Sequence, residues 1–364
     1  MEIKLSSGEI ASIQDIQTLL VSGETNWSQY GDVEARTRDN LTLFTYNRDA
    51  TVNNRWNFFE RVSRGLVINR LTGEIVARPF DKFFNWLEDG RVSEERIASV
   101  TDKVDGSLGI LYRNNGEYKI TTRGSLHSDQ GVVATEMLKA YDLSDPPEEI
   151  TLLFEIIHPQ YQIIVDYGTV TQLLLIGVRN RFTGEQFPFF PDVYNLSHQF
   201  GFATPNVYPF NDLSEIIASC GELGINREGY VVEFSDGSRF KFKGERYLEL
   251  HRLIEKMSFK NVLRQYQEIG EDQTQAKYGL LPAVYKNEVK SWLAEIRTAV
   301  EQFEHDLQTA WREGSLIQDQ RDYAAWVKTQ RKDLQVFLFS LRSDKPYRDG
   351  IFRLIYEYLK DIPR

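Results

Sequence analysis

The chain has 364 residues, of which 41% are hydrophobic and 13% aromatic, a composition typical of a globular protein rather than a disordered one. No apolar run approaches the roughly 18 residues that a membrane span needs, and a single cysteine excludes an intramolecular disulfide and a thiolate zinc site. The formal net charge of -10 argues against a broad basic surface for nucleic acid.

Charge is unevenly distributed. Residues 1–248 carry 24 Lys and Arg against 35 Asp and Glu, whereas residues 249–364 carry 19 against 18. A polyanion site in the first part must therefore be a local basic groove within an acidic lobe, and the same acidity suits a site that gathers divalent metal ions. The N-terminus lacks the apolar segment of a signal peptide, so we expect a cytoplasmic protein without a membrane anchor.

Nine short segments rich in β-branched and aromatic residues precede residue 250 and are bounded by turn residues. They are residues 65–70, 73–80, 107–113, 117–124, 151–157, 162–168, 172–180, 229–234 and 239–244. The pattern predicts hairpin turns at 69–73 and 180–184 and a helix over 132–143. Because the strands follow one another without regular helical crossovers, we predict mostly antiparallel sheets.

The pattern changes after about residue 248. From Val289 to Trp311 the apolar residues step by three and four, which predicts a long amphipathic helix. Helical patterns continue over 323–341 and 351–359. We therefore place a boundary between about 245 and 260 and predict an α+β domain over residues 1–248 and an all-helical domain over residues 249–364.

A lysine, an aspartate and a glycine stand together in Lys103-Val104-Asp105-Gly106. On a strand or strand end, Lys103 and Asp105 share a face, and Gly106 lets another group approach the backbone closely. A neutral lysine amine is a good covalent nucleophile, and nearby cations depress its pKa. Taken alone, the string is more typical of a solvated turn.

Further downstream, Lys241 and Lys243 alternate with two phenylalanines. Period two places both lysines on one face of a strand, where they suit a phosphate clamp and would depress the pKa of a third lysine nearby. A solvated basic face is the simpler interpretation of this segment alone.

Two acids stand in apolar strands, Glu155 within LLFEII and Glu228 at the start of EGYVVEF. A carboxylate inside an apolar run is costly unless it is paired, hydrogen-bonded or bound to metal. Glu155 is the sharper anomaly, because Arg227 offers Glu228 a surface ion pair.

Upstream, Arg64 stands just before a strand, and Lys82 lies between Phe80 and Phe83. Aromatic residues beside basic ones can stack a base and hold phosphate, although an aromatic core segment with a lysine reaching the surface would look the same. The histidines show no paired metal-ligand spacing, and the sequence lacks a nucleophile elbow, a Walker A loop and a Rossmann fingerprint.

Together these residues resemble motifs I, III, IV and V of the covalent nucleotidyltransferases, the superfamily of polynucleotide ligases and RNA capping enzymes. The order fits, with 52 residues from Lys103 to Glu155 and 73 more to Glu228. The segments SRG, KFFN, FEIIHPQYQIIVDYG and LLLIGVRNRFTGE are similar to the ATP-dependent RNA ligases of the RNA ligase 1 type in T-even phages, a group that includes the ligase domain of fungal tRNA ligases. The resemblance covers roughly residues 55–245.

This resemblance implies an enzyme that joins RNA 5′-phosphate and 3′-hydroxyl ends through a lysyl-AMP intermediate and an adenylylated RNA end, in RNA or tRNA repair. Lys103 would be the nucleophile that attacks ATP. Lys241 and Lys243 would contact the phosphates and help to keep the Lys103 amine neutral. Arg64 and Lys82 would bind the β- and γ-phosphates and orient pyrophosphate as the leaving group.

The resemblance also implies the remaining roles. Asp105, Glu155 and Glu228 would hold Mg²⁺, with Mn²⁺ as an alternative, and Glu155 would also contact the ribose. Gly106 would let the backbone approach the nucleotide closely. Arg123, which the hairpin returns towards the same pocket, would contact AMP or an RNA phosphate.

Two other interpretations stay open. One is a different covalent nucleotidyltransferase, either a DNA ligase or a capping guanylyltransferase, against which KFFN and the missing OB-like segment count. The other is a degenerate relative that only binds RNA, against which the complete set of motif acids and lysines counts. We expect a monomeric, stand-alone ligase whose substrates include nicked tRNA. The domain over 249–364 either selects the RNA or serves packing alone.

Overall fold

The computed structural model describes residues 8–143 and 146–360. The chain divides into two compact units, Met1–Leu248 and Glu249–Arg364. The described residues of the first unit form an α+β fold with three four-stranded sheets, in which all strand pairings but one are antiparallel. Its helices are α1 (Ile13–Val21), α2 (Arg48–Val52), α3 (Phe58–Val62), α4 (Asp129–Leu138), α5 (Tyr194–Phe200), α6 (Leu213–Gly221) and the start of α7 (Glu245–Glu255).

The first sheet is an antiparallel meander of β1 (Val33–Arg38), β2 (Leu41–Tyr46), β3 (Arg64–Asn69) and β4 (Ile75–Ala77). Helix α1 begins with a capping box, in which Ser12 and Asp15 satisfy each other's backbone N–H groups. Its apolar face joins one buried cluster with Phe44 of β2 and Leu66 of β3. This sheet fixes Arg64 at the first position of β3.

The second sheet has the strand order β10-β9-β7-β8 and contains β7 (Ser107–Asn114), β8 (Glu117–Thr122), β9 (Ile150–Ile157) and β10 (Gln172–Asn180). The apolar run of β9 is buried because the strand lies between β7 and β10, and Phe154 is fully buried. Glu155 interrupts this run, so the sheet carries a carboxylate into the interior of the first unit.

The third sheet has the order β5-β12-β11-β6 and contains β5 (Phe84–Asn85), β6 (Ile97–Lys103), β11 (Gly229–Phe234) and β12 (Arg239–Lys243). Since alternate residues of a strand share a face, the register of β6, β11 and β12 forms three cross-strand rows on one side. We call this side the three-row face. Its rows are Lys103–Gly229–Lys243, Thr101–Val231–Lys241 and Ser99–Glu233–Arg239.

The structure corrects several predicted elements. Residues 162–168 form no strand, because the N–H groups of Ile164 and Val165 donate to the Asp105 carboxylate rather than to a neighbouring strand. The predicted helix over 132–143 is α4, which starts three residues earlier, behind the N-cap Ser128, and ends at Leu138. The sequence patterns also missed β1, β2, β5 and β6, and the short helices before residue 222 other than α4.

The described residues of the second unit are helical. They form the end of α7, α8 (Phe259–Ile269), α9 (Glu271–Lys277), α10 (Ala283–Gly314), α11 (Gln320–Val327), α12 (Lys332–Arg342) and α13 (Arg348–Leu359). The 32-residue α10 buries the stripe from Val289 onwards that the three-and-four spacing predicts. In the described ranges, no helix combines the length and apolarity of a membrane span.

Candidate active site

A cavity of about 220 Å³ opens over the three-row face. Its polar walls include five of the predicted site residues, which are Arg64, Lys103, Gly106, Glu155 and Lys241. Apolar residues fill the space between them, among them Leu108 of β7, Ile176 of β10 and Val231 of β11. All three sheets therefore contribute to one pocket, although the predicted residues lie up to 177 positions apart in the chain.

Glu228 lies immediately before β11 and joins two lysines. Its Oε2 is 2.8 Å from Lys103 Nζ and its Oε1 is 3.0 Å from Lys243 Nζ, while only 3% of its side chain is exposed. Burial alone would raise the pKa of Glu228, but the two ammonium groups outweigh it and lower that pKa below its ordinary value. Glu228 is therefore a buried carboxylate held ionised by a lysine on each oxygen.

This geometry overturns the expectation that Lys241 and Lys243 keep the Lys103 amine neutral. Burial would lower the pKa of Lys103, but Glu228 and then Glu155 outweigh it and raise that pKa above its ordinary value. Of the two lysines, it is Lys241 rather than Lys103 whose pKa is lowered. Burial, then Arg64 and Lys103, lower the pKa of Lys241 well below its ordinary value.

Glu155 faces Lys103 from β9, and its Oε1 accepts the Gly106 N–H at 3.0 Å. Burial, opposed by Lys103 and assisted by Glu228, raises the pKa of Glu155 to about 7. The backbone at Gly106 lies close to strand β9, since a Cβ on residue 106 would be 2.5 Å from the Ile156 carbonyl oxygen. Gly106 therefore lets β9 bring Glu155 to the nucleophile, which is a different requirement from the predicted one.

Three of the predicted site cations stand over aromatic rings near the cavity. The charged groups of Arg64 and Lys241 lie 5.4 Å and 4.6 Å from the centre of the Phe83 ring, and Lys82 Nζ lies 4.6 Å from that of Phe84. The Arg64 Nη1 atom is buried and has no hydrogen-bond partner among the described residues. An unsatisfied buried guanidinium beside two further cations is a site prepared for an anion.

Asp105 does not line this cavity. Strand β6 ends at Lys103, so the alternation that would place both side chains on one face stops before Asp105. Its Oδ2 accepts the N–H groups of Ile164 and Val165 at 2.8 Å, and its Oδ1 accepts the Tyr247 hydroxyl at 2.8 Å. With both oxygens engaged by the fold, Asp105 is a structural anchor, and the geometry does not fit the metal-ligand role predicted for it.

We expect Asp105→Ala to lower the free energy of unfolding by about 3–5 kcal/mol, because it leaves two buried backbone N–H groups unpaired. Asp105→Asn keeps one acceptor oxygen for those groups and should cost much less. Urea unfolding of both variants measures the difference. An Ala variant as stable as the wild type would return Asp105 to the candidates for metal binding.

Arg123 is exposed and also lies outside the cavity wall, with its guanidinium 4.5 Å from the centre of the Tyr46 ring. Its charge is close enough to contribute to lowering the pKa of Arg64, after burial. The β7–β8 hairpin, which turns at Asn115 and Gly116, therefore brings Arg123 near the cation cluster but not onto the cavity wall.

Ser99, Glu233 and Arg239 also line the cavity and were not among the predicted site residues. The alternating pattern of the strands could have indicated two of them, Glu233 and Arg239. Period two extends the lysine face of β12 back to Arg239, and the same period extends β11 from Gly229 to Glu233. Only the Lys103 end of β6 was predicted as a strand end. No sequence pattern therefore pointed to Ser99, which lies earlier in β6.

Mg²⁺ in proteins is commonly held by one or two carboxylates together with substrate phosphates. Glu155 fits that pattern through its carboxylate, whereas Glu228 would have to exchange a lysine for the metal ion, because each of its oxygens is paired with a lysine. Over residues 8–143 and 146–360, no group of three His, Cys, Asp or Glu side chains is arranged to hold an ion. The protein thus offers two carboxylates here rather than a complete coordination shell.

Residues 62–248, just over half of the chain, match the family model described as RNA ligase. The chain is similar to an RNA ligase of Rhodothermus phage RM378, with 25% identity over 193 residues that cover 41% of this chain and 43% of that protein. It is also similar to RNA ligase 1 of bacteriophage TS2126, with 30% identity over 126 residues that cover 29% of this chain and 31% of that protein.

An archaeal ATP-dependent RNA ligase of known structure aligns over 78% of each chain with 14% identity and a TM-score of 0.48. The chain spans less than half the length of the curated relatives that it matches.

Proposed function

Because the chain belongs to the RNA ligase family, we propose that it joins RNA ends by an ATP-dependent reaction through a lysyl-AMP intermediate on Lys103. The observation that carries the proposal is that Lys103 lines a cavity beside the carboxylates of Glu228 and Glu155 and beside a cluster of cations that have no ion-pair partner among the described residues. A nucleophile and charge-neutralising groups in one pocket are what nucleotidyl transfer requires.

In the first step, the Lys103 nitrogen attacks the α-phosphorus of ATP. A phosphorus–nitrogen bond forms, the bond to the bridging oxygen breaks, and pyrophosphate leaves with the electron pair. The Lys103 ammonium group must first lose a proton to solvent, because Glu228, 2.8 Å away, has a lowered pKa and holds the ammonium group in place rather than accepting its proton. Lys243 remains on the other oxygen of Glu228 and keeps the carboxylate in place.

ATP brings about four negative charges to the pocket. Arg64, Lys82 and Lys241 supply positive charge with no described carboxylate within ion-pair distance, so they are free to bind the phosphates and the departing pyrophosphate. Mg²⁺ held by Glu155 and Glu228 would neutralise further charge on the phosphates. Mn²⁺ takes the same oxygen ligands.

The remaining steps follow from the chemistry of the adduct. AMP passes from Lys103 to the 5′-phosphate of an RNA end, and a 3′-hydroxyl then attacks that phosphate and releases AMP. We extend the proposal to repair of broken RNA, nicked tRNA included, by a monomer in the cytoplasm. Residues 249–364 are proposed to be a separate helical domain that selects the RNA.

Incubation with α-labelled ATP and Mg²⁺ is expected to give an acid-stable labelled protein, and added 5′-phosphorylated RNA should discharge the label and become circular. Chelation with EDTA should prevent both. Labelling by GTP instead of ATP would favour a capping guanylyltransferase. Labelled protein that seals nicked DNA but not RNA would favour a DNA ligase, and absence of any adduct would leave only a binding function.

A further inference from the structure

The row of the three-row face farthest from Lys103 contains a buried ion pair that the steps above do not use. Glu233 of β11 opposes Arg239 of β12, with Oε2 and Nη2 3.2 Å apart and side chains only 8% and 6% exposed. Ser99 of β6 completes the row, with its Oγ 3.4 Å from the same Glu233 oxygen. All three residues line the cavity that contains Lys103.

The spacing of the rows matches the length of a nucleotide. Ser99 lies four residues before Lys103 on β6, about 13 Å along the strand. That span is comparable with the distance from the phosphorus of a nucleoside 5′-monophosphate to the far edge of its base. Between the two rows the wall is apolar at Val231, Leu108 and Ile176, as the faces of a base require.

The Glu233 carboxylate has one oxygen engaged and one available. Its Oε2 accepts from Arg239 and Ser99 and from the Phe189 N–H at 3.3 Å. No residue in the described part of the chain donates to its Oε1. Because Glu233 lines the cavity, this second oxygen is available as an acceptor for a bound ligand.

A single acceptor oxygen discriminates between purines. The exocyclic amino group of adenine donates through one nitrogen and can use that oxygen alone. Guanine would need both oxygens of a carboxylate to bind its adjacent N1–H and amino groups. The 6-oxo group of guanine or hypoxanthine would face the negative charge without a proton between them.

We propose that Glu233, positioned by Arg239 and Ser99, accepts a hydrogen bond from the adenine amino group and selects ATP over 6-oxopurine nucleotides. The proposal rests on the function proposed above, in which ATP is the substrate. Arg239 is itself held by the Phe80 ring, whose centre lies 4.2 Å from its guanidinium carbon. Arg239 and Ser99 act through Glu233 and are positioning residues.

The test compares adenylylation by ATP and by inosine triphosphate, which carries an oxygen in place of the amino group. Glu233→Gln should lower the ratio of the two kcat/KM values by on the order of 10- to 100-fold, the effect of a hydrogen bond to a charged group. Arg239→Gln is the matched control, because it breaks the same ion pair but keeps the carboxylate. It should lower the ratio by less than Glu233→Gln does, because the carboxylate remains but loses the partner that positions it.

Glu233→Gln leaves Arg239 buried without its partner and can impair folding. The double variant Glu233→Gln/Arg239→Gln removes both charges and should show the lowered ratio of the single Glu233 variant. Wild-type ratios in both Glu233 variants would overturn the base-selection proposal and leave the ligase proposal intact. Failure of the wild type to form an adduct with ATP would overturn both.

Discussion

Replacing Lys103 by Ala or by Arg is expected to abolish the covalent protein–AMP adduct while the protein stays folded. Ala removes the nucleophile, and Arg supplies only a guanidinium that stays protonated in proteins. The fold should tolerate the Ala change because Lys243 remains paired with Glu228 at 3.0 Å. Glu228 is thus not left as a buried charge without a partner.

The adduct is measured by denaturing electrophoresis after incubation with α-labelled ATP, with an expected decrease of at least about 1,000-fold. Lys119→Ala is the control, since Lys119 lies on β8 and its side chain is 38% exposed beside Glu117. Lys103→Ala should still seal RNA that is already adenylylated, because that substrate bypasses the first step. An undiminished adduct in Lys103→Ala would place the nucleophile on another residue.

Lys241→Met should abolish most activity and at the same time stabilise the protein. Lys241 is surrounded by other cationic side chains. Burial and then Arg64 make the largest contributions to lowering its pKa. Keeping it charged in the folded state opposes folding, while the unfolded chain hydrates it freely. A methionine of similar length removes that cost and keeps the contact with Phe83.

We expect adenylylation by Lys241→Met to fall about 100- to 1,000-fold and the free energy of unfolding to rise by about 1 kcal/mol. The two quantities come from the labelling rate and from urea unfolding without nucleotide. Lys119→Met, at a half-buried site on β8 outside the cavity wall, should change neither. A Met variant that is less stable than the wild type would mean that Lys241 has a stabilising partner in the folded state.

The parts of the site that sequence could predict are those whose side chains contradict their surroundings. Glu155 in an apolar strand and the alternating Lys241 and Lys243 are anomalies within a few residues, and four such anomalies in order point to one family. The raised pKa of Lys103 could not be predicted from the sequence, because it depends on Glu228. That residue lies 125 positions later in the chain, but its Oε2 is 2.8 Å from Lys103 Nζ.

Asp105 shows the opposite limit. Its position beside Lys103 suggested a shared face, but the strand ends at Lys103 and the carboxylate turns to the backbone of residues 164–165. The same contact explains the wrong strand at 162–168, whose composition favours β structure. A side chain that binds backbone amides from a distant segment leaves no periodic signal in either segment.

The three-row face also bears on which sequence changes the protein tolerates. One inserted or deleted residue within β6, β11 or β12 would move every following side chain to the opposite side of the sheet and separate Lys103 from Ser99 or Lys243 from Arg239. An insertion at the exposed turn of Asn115 and Gly116 displaces no row. Length variation among homologues should therefore spare these three strands and collect in turns such as residues 115–116.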